Sequence, residues 1–367
     1  MASNSVAGDK SKMNSYELGA SFSLDYPRLL LPWMKNKSNR FLFPSHTSFK
    51  LYVDQLNRAR FFKMLSFGGT VSYDFQPSRT WKHTVTPFRL AFNTLQHTTS
   101  EFDSIINVNK SLALSLGNQF IPAMSYTFTY DNAPLKKRHN LWWETSFTSA
   151  GNVTSLVYAA FGKGMKEKGK ELLGSPFAQF LKMTSEIRCL FKVGEKQHIA
   201  TRLMGGVLYA YGNQTVAPYS EQFYIGGANS IRAFTVRSIG PGTFHPNADN
   251  RYGYIDETGD VKLEANIEYR FPVLADLYGA TFLDAGNVWL MKKDEARPGG
   301  ELTMRNFAKS VALGTGVGLR YDLTFLVIRL DLGIALHAPY DTGKSGYYNI
   351  PKFKDGLGLP FAIGYPF

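Results

Sequence analysis

The stretch "KLEANIEYRF", residues 262–271, alternates at every step. In an extended chain Leu263, Ala265, Ile267, Tyr269 and Phe271 fall on one face. Lys262, Glu264, Asn266, Glu268 and Arg270 fall on the other. The same period of two runs through "VALGTGVGLRY" (311–321) and "FLVIRLDLGIAL" (325–336). In both, one side is large and apolar, and the other is mostly glycine, alanine or charge. Soluble sheets alternate too, but three features point elsewhere. These runs are about ten to sixteen residues long, against about five or six for a globular strand. The small or charged face suits a wet lumen, and the apolar face suits lipid. Aromatic side chains gather near strand ends, in "NLWWE" (140–144), "VWL" (288–290) and "GYPF" (364–367), as interfacial girdles require. The expected fold is all-β: an antiparallel transmembrane β-barrel.

Thirteen strands are expected, near 16–26, 47–57, 61–76, 80–95, 118–131, 138–150, 176–193, 196–211, 259–272, 276–291, 308–321, 323–337 and 358–367. "SEFDSIINVNKS" (100–111) and "NVTSLVYAAFGKG" (152–164) look helical or irregular. Long connections at 212–258 and 338–357 contrast with tight ones such as "QPSR" (76–79) and "GEKQ" (194–197), a barrel habit. The expected organisation is a polar tail over 1–14 followed by one barrel domain over 15–367.

Composition narrows the function. The 367 residues carry a net charge of +12, but the basic residues are spread along the chain, so nucleic acid is not an expected partner. No apolar run approaches the ~18 residues of a transmembrane helix, and the N-terminus has no apolar h-region. Cys189 is the single cysteine, which excludes an internal disulfide and a multi-cysteine metal site. Seven histidines are scattered singly, without a serine partner or ligand spacing. Neither an enzyme, a catalytic residue, a metal nor a cofactor is expected.

The segment "FYIGGANSIRAFTVRSIGPG" (223–242) fits no phosphate-binding fingerprint. With Ile231, Arg232, Ala233 and Phe234 following the Gly226–Gly227 pair, it resembles the sixth-loop motif of the outer-membrane assembly barrels, the BamA and TamA relatives. That motif reads [V/I]-R-G-[F/Y]; here Ala233 stands at the glycine position. A second family motif, F-x-D-x-G, stands as Phe282, Asp284 and Gly286, and the preceding strand's family glutamate as Glu268 in "IEYRFPV". The resemblance covers nearly the whole chain. It implies that Arg232 folds inward on its loop toward Asp284 and Glu268. Two ionised carboxylates facing a lumen are costly unless paired, and a guanidinium fork matches their geometry. The competing possibility is a wetted lumen with Arg232 in solvent. For Arg237 a second luminal contact and solvent are both open.

The last stretch, "LPFAIGYPF", sets Phe361, Ile363, Tyr365 and Phe367 on one face. It is similar to the C-terminal signal strand by which such barrels pair with their assembly machinery. The resemblance implies sixteen strands and soluble POTRA domains ahead of them. The expectation is therefore either an N-terminally truncated form, or one piece of a split barrel whose missing strands or POTRA domains stand on another chain, its first strand matching the family's fourth. The implied function is an insertase or translocation barrel in the outer membrane of a diderm bacterium. Its partners would be lipid and client outer-membrane proteins. The alternative is a two-partner-type secretion transporter of the same superfamily.

Overall fold

The structure, a computed structural model, describes residues 16–30, 43, 45–58, 61–108, 110–245 and 257–367. The polar tail and the part of the long loop from 246 to 256 lie outside the described residues. Strands follow in chain order: β1 (Tyr16–Tyr26), β2 (His46–Arg58), β3 (Phe62–Phe75), β4 (Trp81–Thr98), β5 (Gln119–Asp131), β6 (His139–Ala150), a small hairpin of β7 (Glu171–Leu172) and β8 (Ser175–Pro176), β9 (Phe180–Lys192), β10 (His198–Ala210), β11 (Val261–Leu274), β12 (Leu277–Trp289), β13 (Ala312–Asp322), β14 (Val327–His337), β15 (Leu357–Gly358) and β16 (Phe361–Ile363). All but β7 and β8 join one fourteen-stranded sheet, each bonded to its neighbour in sequence, with β15 and β16 both on β14. β1 and β2 pair antiparallel over eleven positions, from Tyr16↔Asn57 to Tyr26↔Thr47. Among the described residues no helix is long and apolar enough to cross a membrane.

The contacts group into two compact units, Met1–Leu135 with Glu144–Thr184 and Leu208–Glu221, and Lys136–Trp143 with Ser185–Val207 and Gln222–Phe367. In the first unit α1 (Ser100–Val108) and α2 (Lys110–Leu116) fill the β4–β5 connection, and α3 (Asn152–Ala160) follows β6. Phe102 of α1 and Leu116 of α2 are buried with Leu56, Phe62, Met64 and Tyr219. This small apolar cluster holds the helices to the strand ends.

The second unit inverts the water-soluble pattern. On β11, Leu263, Ile267 and Tyr269 are 38, 44 and 36% exposed, whereas Glu264, Asn266 and Glu268 are 0, 4 and 0%. On β13 and β14, Arg320, Arg329 and Asp331 are buried, while Val317, Leu319 and Leu330 are exposed. Polar faces inward and apolar faces outward are what a barrel wall demands, since its outer solvent is hydrocarbon.

Strand ends move by a few residues from their expected places, and two differences are physical. The expected strand over 176–193 starts at Phe180 because Ser175–Pro176 is already committed to the small hairpin. The expected terminal strand over 358–367 breaks into β15 and β16 and stops at Ile363. Gly364 follows with φ +87°, a left-handed conformation that ends strand geometry. Phe361 and Ile363 remain exposed. Tyr365 and Phe367 instead meet the Arg270 guanidinium, 4.3 and 5.8 Å from their ring centroids.

Candidate functional site

The loop after β10 returns on itself as a tight hairpin. Gly226 and Gly227 hold φ of +94° and +89°, and a Cβ on Gly226 would stand 2.1 Å from the Thr235 carbonyl oxygen. Only glycine fits there. Gly227 N donates to Phe234 O (2.8 Å), and Phe234 N to Ile231 O (3.1 Å), so Arg232 sits at the turn.

The side chain of Arg232 is wholly buried, as are those of Asp284 and Glu268. Asp284 accepts from Arg232 Nε (2.8 Å), Nη2 (2.9 Å) and backbone N (3.1 Å). Arg232 Nη1 donates to Glu268. The guanidinium lies 3.4 Å from the centroid of the Phe282 ring, so one face meets an aromatic quadrupole while the edge meets carboxylates. The register explains the convergence: β11 and β12 pair Glu268 with Phe282 and Asn266 with Asp284. Asn266 Nδ2 completes Asp284 at 3.0 Å and also donates to Ser230 O at 3.0 Å.

Of the residues singled out in the sequence, Arg232, Asp284, Glu268 and Phe282 meet at one point. Ile231 is buried beside them, and Phe234 packs against Ala335, Ala338 and Ile350. Gly286 lies two positions beyond Asp284 on β12. It faces Glu264, where a Cβ would stand 2.5 Å from Leu263 O. Ala233, standing for the family glycine, is not among the residues of positive φ, so its side chain costs no backbone strain. Arg237 does have φ +60°, and its guanidinium stacks 3.9 Å from the Tyr224 ring centroid.

The seat is made by absence of side chains as much as by charge. A Cβ at Gly333 would lie 2.7 Å from Arg232 O and 2.8 Å from Ala233 Cα; one at Gly314 would lie 2.7 Å from Ala233 Cβ. The loop backbone therefore rests directly on β14, and the Ala233 methyl on β13.

The site is larger than the motifs. Arg270 Nε (2.8 Å) and Arg320 Nη2 (3.0 Å) share Glu268 with Arg232, and Arg320 Nη1 also binds Asp331 at 2.5 Å. Arg329 donates to Asn229 Oδ1 at 2.6 Å. Ser230 Oγ donates to Glu264 (2.8 Å), which also binds Arg202 at 2.8 Å. The signal for Arg202, Glu264, Arg270, Arg320, Arg329 and Asp331 was the position of each on a strand's polar face; Asn229 and Ser230, on the loop, carried none.

A second anchor lies in the first unit, eleven residues before Arg232 in the chain. Glu221 is buried and pairs with Arg89 of β4. Lys182 of β9 reaches its Oε2 (3.1 Å) and its carbonyl (2.8 Å). Asn93 Nδ2 donates to Ser220 Oγ at 2.7 Å. Burial opposes the Glu221 charge, but Lys182 and Arg89 overcome it and hold the carboxyl below its usual range. A depressed folded value contributes stability that is full above the ordinary glutamate value of about 4.3 and is lost as pH falls through the lower one. Glu221→Gln is expected to weaken this anchor by about 1–2 kcal/mol at neutral pH. The loss should fade at acid pH, read as protease cleavage between 211 and 223.

With this geometry established, comparison with known proteins is direct. A sequence profile described as the Omp85 superfamily domain matches residues 4–365. Sorting and assembly machinery component 50 homolog A of Xenopus laevis is 30% identical over 167 residues, 45% of this chain and 34% of that protein. Among solved structures, BamA from Haemophilus ducreyi lacking POTRA domains 1–3 superposes with a TM-score of 0.64 at 13% identity, over 96% of this chain and 63% of that one. CdiB from Acinetobacter baumannii gives 0.48 at 15% identity, over 96% and 52%. The chain thus spans about a third of the curated relative and under two thirds of the BamA chain. Strands of this length, inverted faces and a profile match over almost every residue lead to one conclusion: the chain belongs to the Omp85 superfamily, and its fold is the superfamily's antiparallel transmembrane β-barrel.

Proposed function

We propose that this chain is the barrel of an outer-membrane insertase that assists the assembly of other outer-membrane β-barrel proteins. Residues 15–367 form its single barrel domain, and the Arg232 loop is the element that holds the lumen in its working state. The observation that carries this reading is the seating of one loop guanidinium on Asp284 and Glu268, both on the inward polar face. A buried cation between two acids fixes a long loop in one place. A lumen so occupied favours work at the wall over free passage of solutes.

The partners in this reading are membrane lipid, client barrel proteins and the machinery that first inserted the chain, met through Phe361 and Ile363 on the last strand. The relative from Xenopus is named for sorting and assembly, which supports assembly over export. The test is depletion of the protein in its own cells, followed by quantifying folded outer-membrane barrels by their heat-shifted gel migration. Accumulation of unfolded barrel precursors, restored by the wild type but not by Arg232→Ala, is the expected result. Normal barrel assembly together with loss of one secreted protein would replace the insertase by a two-partner-type secretion transporter.

A further inference from the structure

Helix α3 is built inside out. Val153, Leu156, Val157 and Ala160 recur at the three- and four-residue spacing that makes one stripe on a helix. In a soluble protein that stripe faces the core. Here the fully buried residue is Ser155, on the opposite side, and the stripe is exposed: Leu156 is 62% accessible and Phe161, just beyond the helix, 83%. Leu173, on the connection that follows, is exposed as well.

The orientation is firmly imposed. Gly151, at φ +69°, begins the helix so close to Ala178 that a Cβ would lie 2.2 Å from its carbonyl oxygen, and Gly151 N donates to Pro122 O at 2.7 Å. Ser155 Oγ donates to Gln179 Oε1 (2.9 Å) and accepts from the buried Lys170 Nζ (3.0 Å). Lys170 in turn binds the carbonyls of Gly164 (3.2 Å) and Met165 (2.9 Å). A helix pinned by its polar side keeps its apolar side outward.

We infer that α3 and the lysine-bearing turn after it form an interfacial anchor that lies in the phosphate-bearing surface of the membrane. Two observations select lipid as the occupant. The apolar stripe stands in the chain between two strands that also expose apolar side chains, β6 with Phe147 and β9 with Leu181 and Met183. On the turn just after the helix stand Lys163, Lys166 and Lys168, all exposed, suited to lipid phosphates. An apolar face flanked by lysines is the composition of a helix that lies on a bilayer. The inference rests on the membrane placement of the barrel proposed above.

The experiment uses the full chain with Cys189→Ser, which removes its single cysteine. Nitroxide labels are placed on Leu156→Cys, Phe161→Cys and, on the lipid face of β11, Ile267→Cys. The labelled proteins are reconstituted in phosphatidylcholine vesicles with or without phosphatidylglycerol. Collisions with oxygen are expected to exceed those with an aqueous nickel chelate at all three sites. Phosphatidylglycerol should deepen the two helix labels, an effect lost when Lys163, Lys166 and Lys168 are all changed to alanine. Labels at 156 and 161 that collide with nickel as freely as in water, while 267 stays in lipid, overturn the anchor and leave the barrel standing. Immersion indifferent to phosphatidylglycerol overturns the role of the lysines. Water access at 267 as well overturns the membrane placement on which the anchor depends.

Discussion

Arg232→Ala is expected to free the loop from its seat, at a cost of about 3–5 kcal/mol, the range for removing one partner of a buried pair. The two acids suffer unequally. Glu268 retains Arg270 and Arg320, whereas Asp284 loses both guanidinium donors and keeps the neutral Asn266 amide and the backbone N–H of residue 232. Uncompensated charge on Asp284 is thus the dominant penalty. It follows that Arg232→Gln combined with Asp284→Asn should be markedly less damaging than Arg232→Ala alone. Arg232→Lys should recover little, because one ammonium cannot bridge two carboxylates as the planar fork does. Limited proteolysis measures the effect: segment 211–245 should become cleavable in Arg232→Ala while the strands stay resistant. Protection equal to wild type would remove the lock from the mechanism.

Gly333→Val should unseat the same loop without altering any charge. Its Cβ would press on the backbone of Arg232 and Ala233, which cannot rotate aside as a side chain can. Overpacking of this kind costs about 1–3 kcal/mol, and an obstruction made of backbone belongs at the upper end. The expected protease pattern matches that of Arg232→Ala. Because the guanidinium then no longer neutralises Asp284 and Glu268, the wall should also become less selective for anions in bilayer conductance. Unchanged conductance and protection in this variant would show that the loop backbone does not bear on β14.

The β architecture was legible because lipid reverses the usual faces: on β11 each polar residue from Lys262 to Arg270 marked the inner side. The heart of the site was legible for a different reason, since the family resemblance aligned Arg232 with Asp284 and Glu268 across a gap that periodicity cannot bridge. What remained hidden depends on register and reach. Arg320 and Asp331 lie on the polar faces of β13 and β14, yet their meeting depends on a pairing that places Asp331 opposite Gly318. Glu221 finds Arg89 across 132 residues, with no motif at either end. At the C-terminus the alternation of Phe361, Ile363, Tyr365 and Phe367 continues in the sequence after the strand has stopped. A single left-handed glycine at 364 redirects the chain, and periodicity carries no trace of that φ.

The two loop anchors have opposite polarity. Glu221 meets Arg89 and Lys182; Arg232 meets Asp284 and Glu268. Exchanging the two loop charges would set acid against acid and base against base at both contacts. The order of the two charges along the chain is thereby matched to the order of their seats.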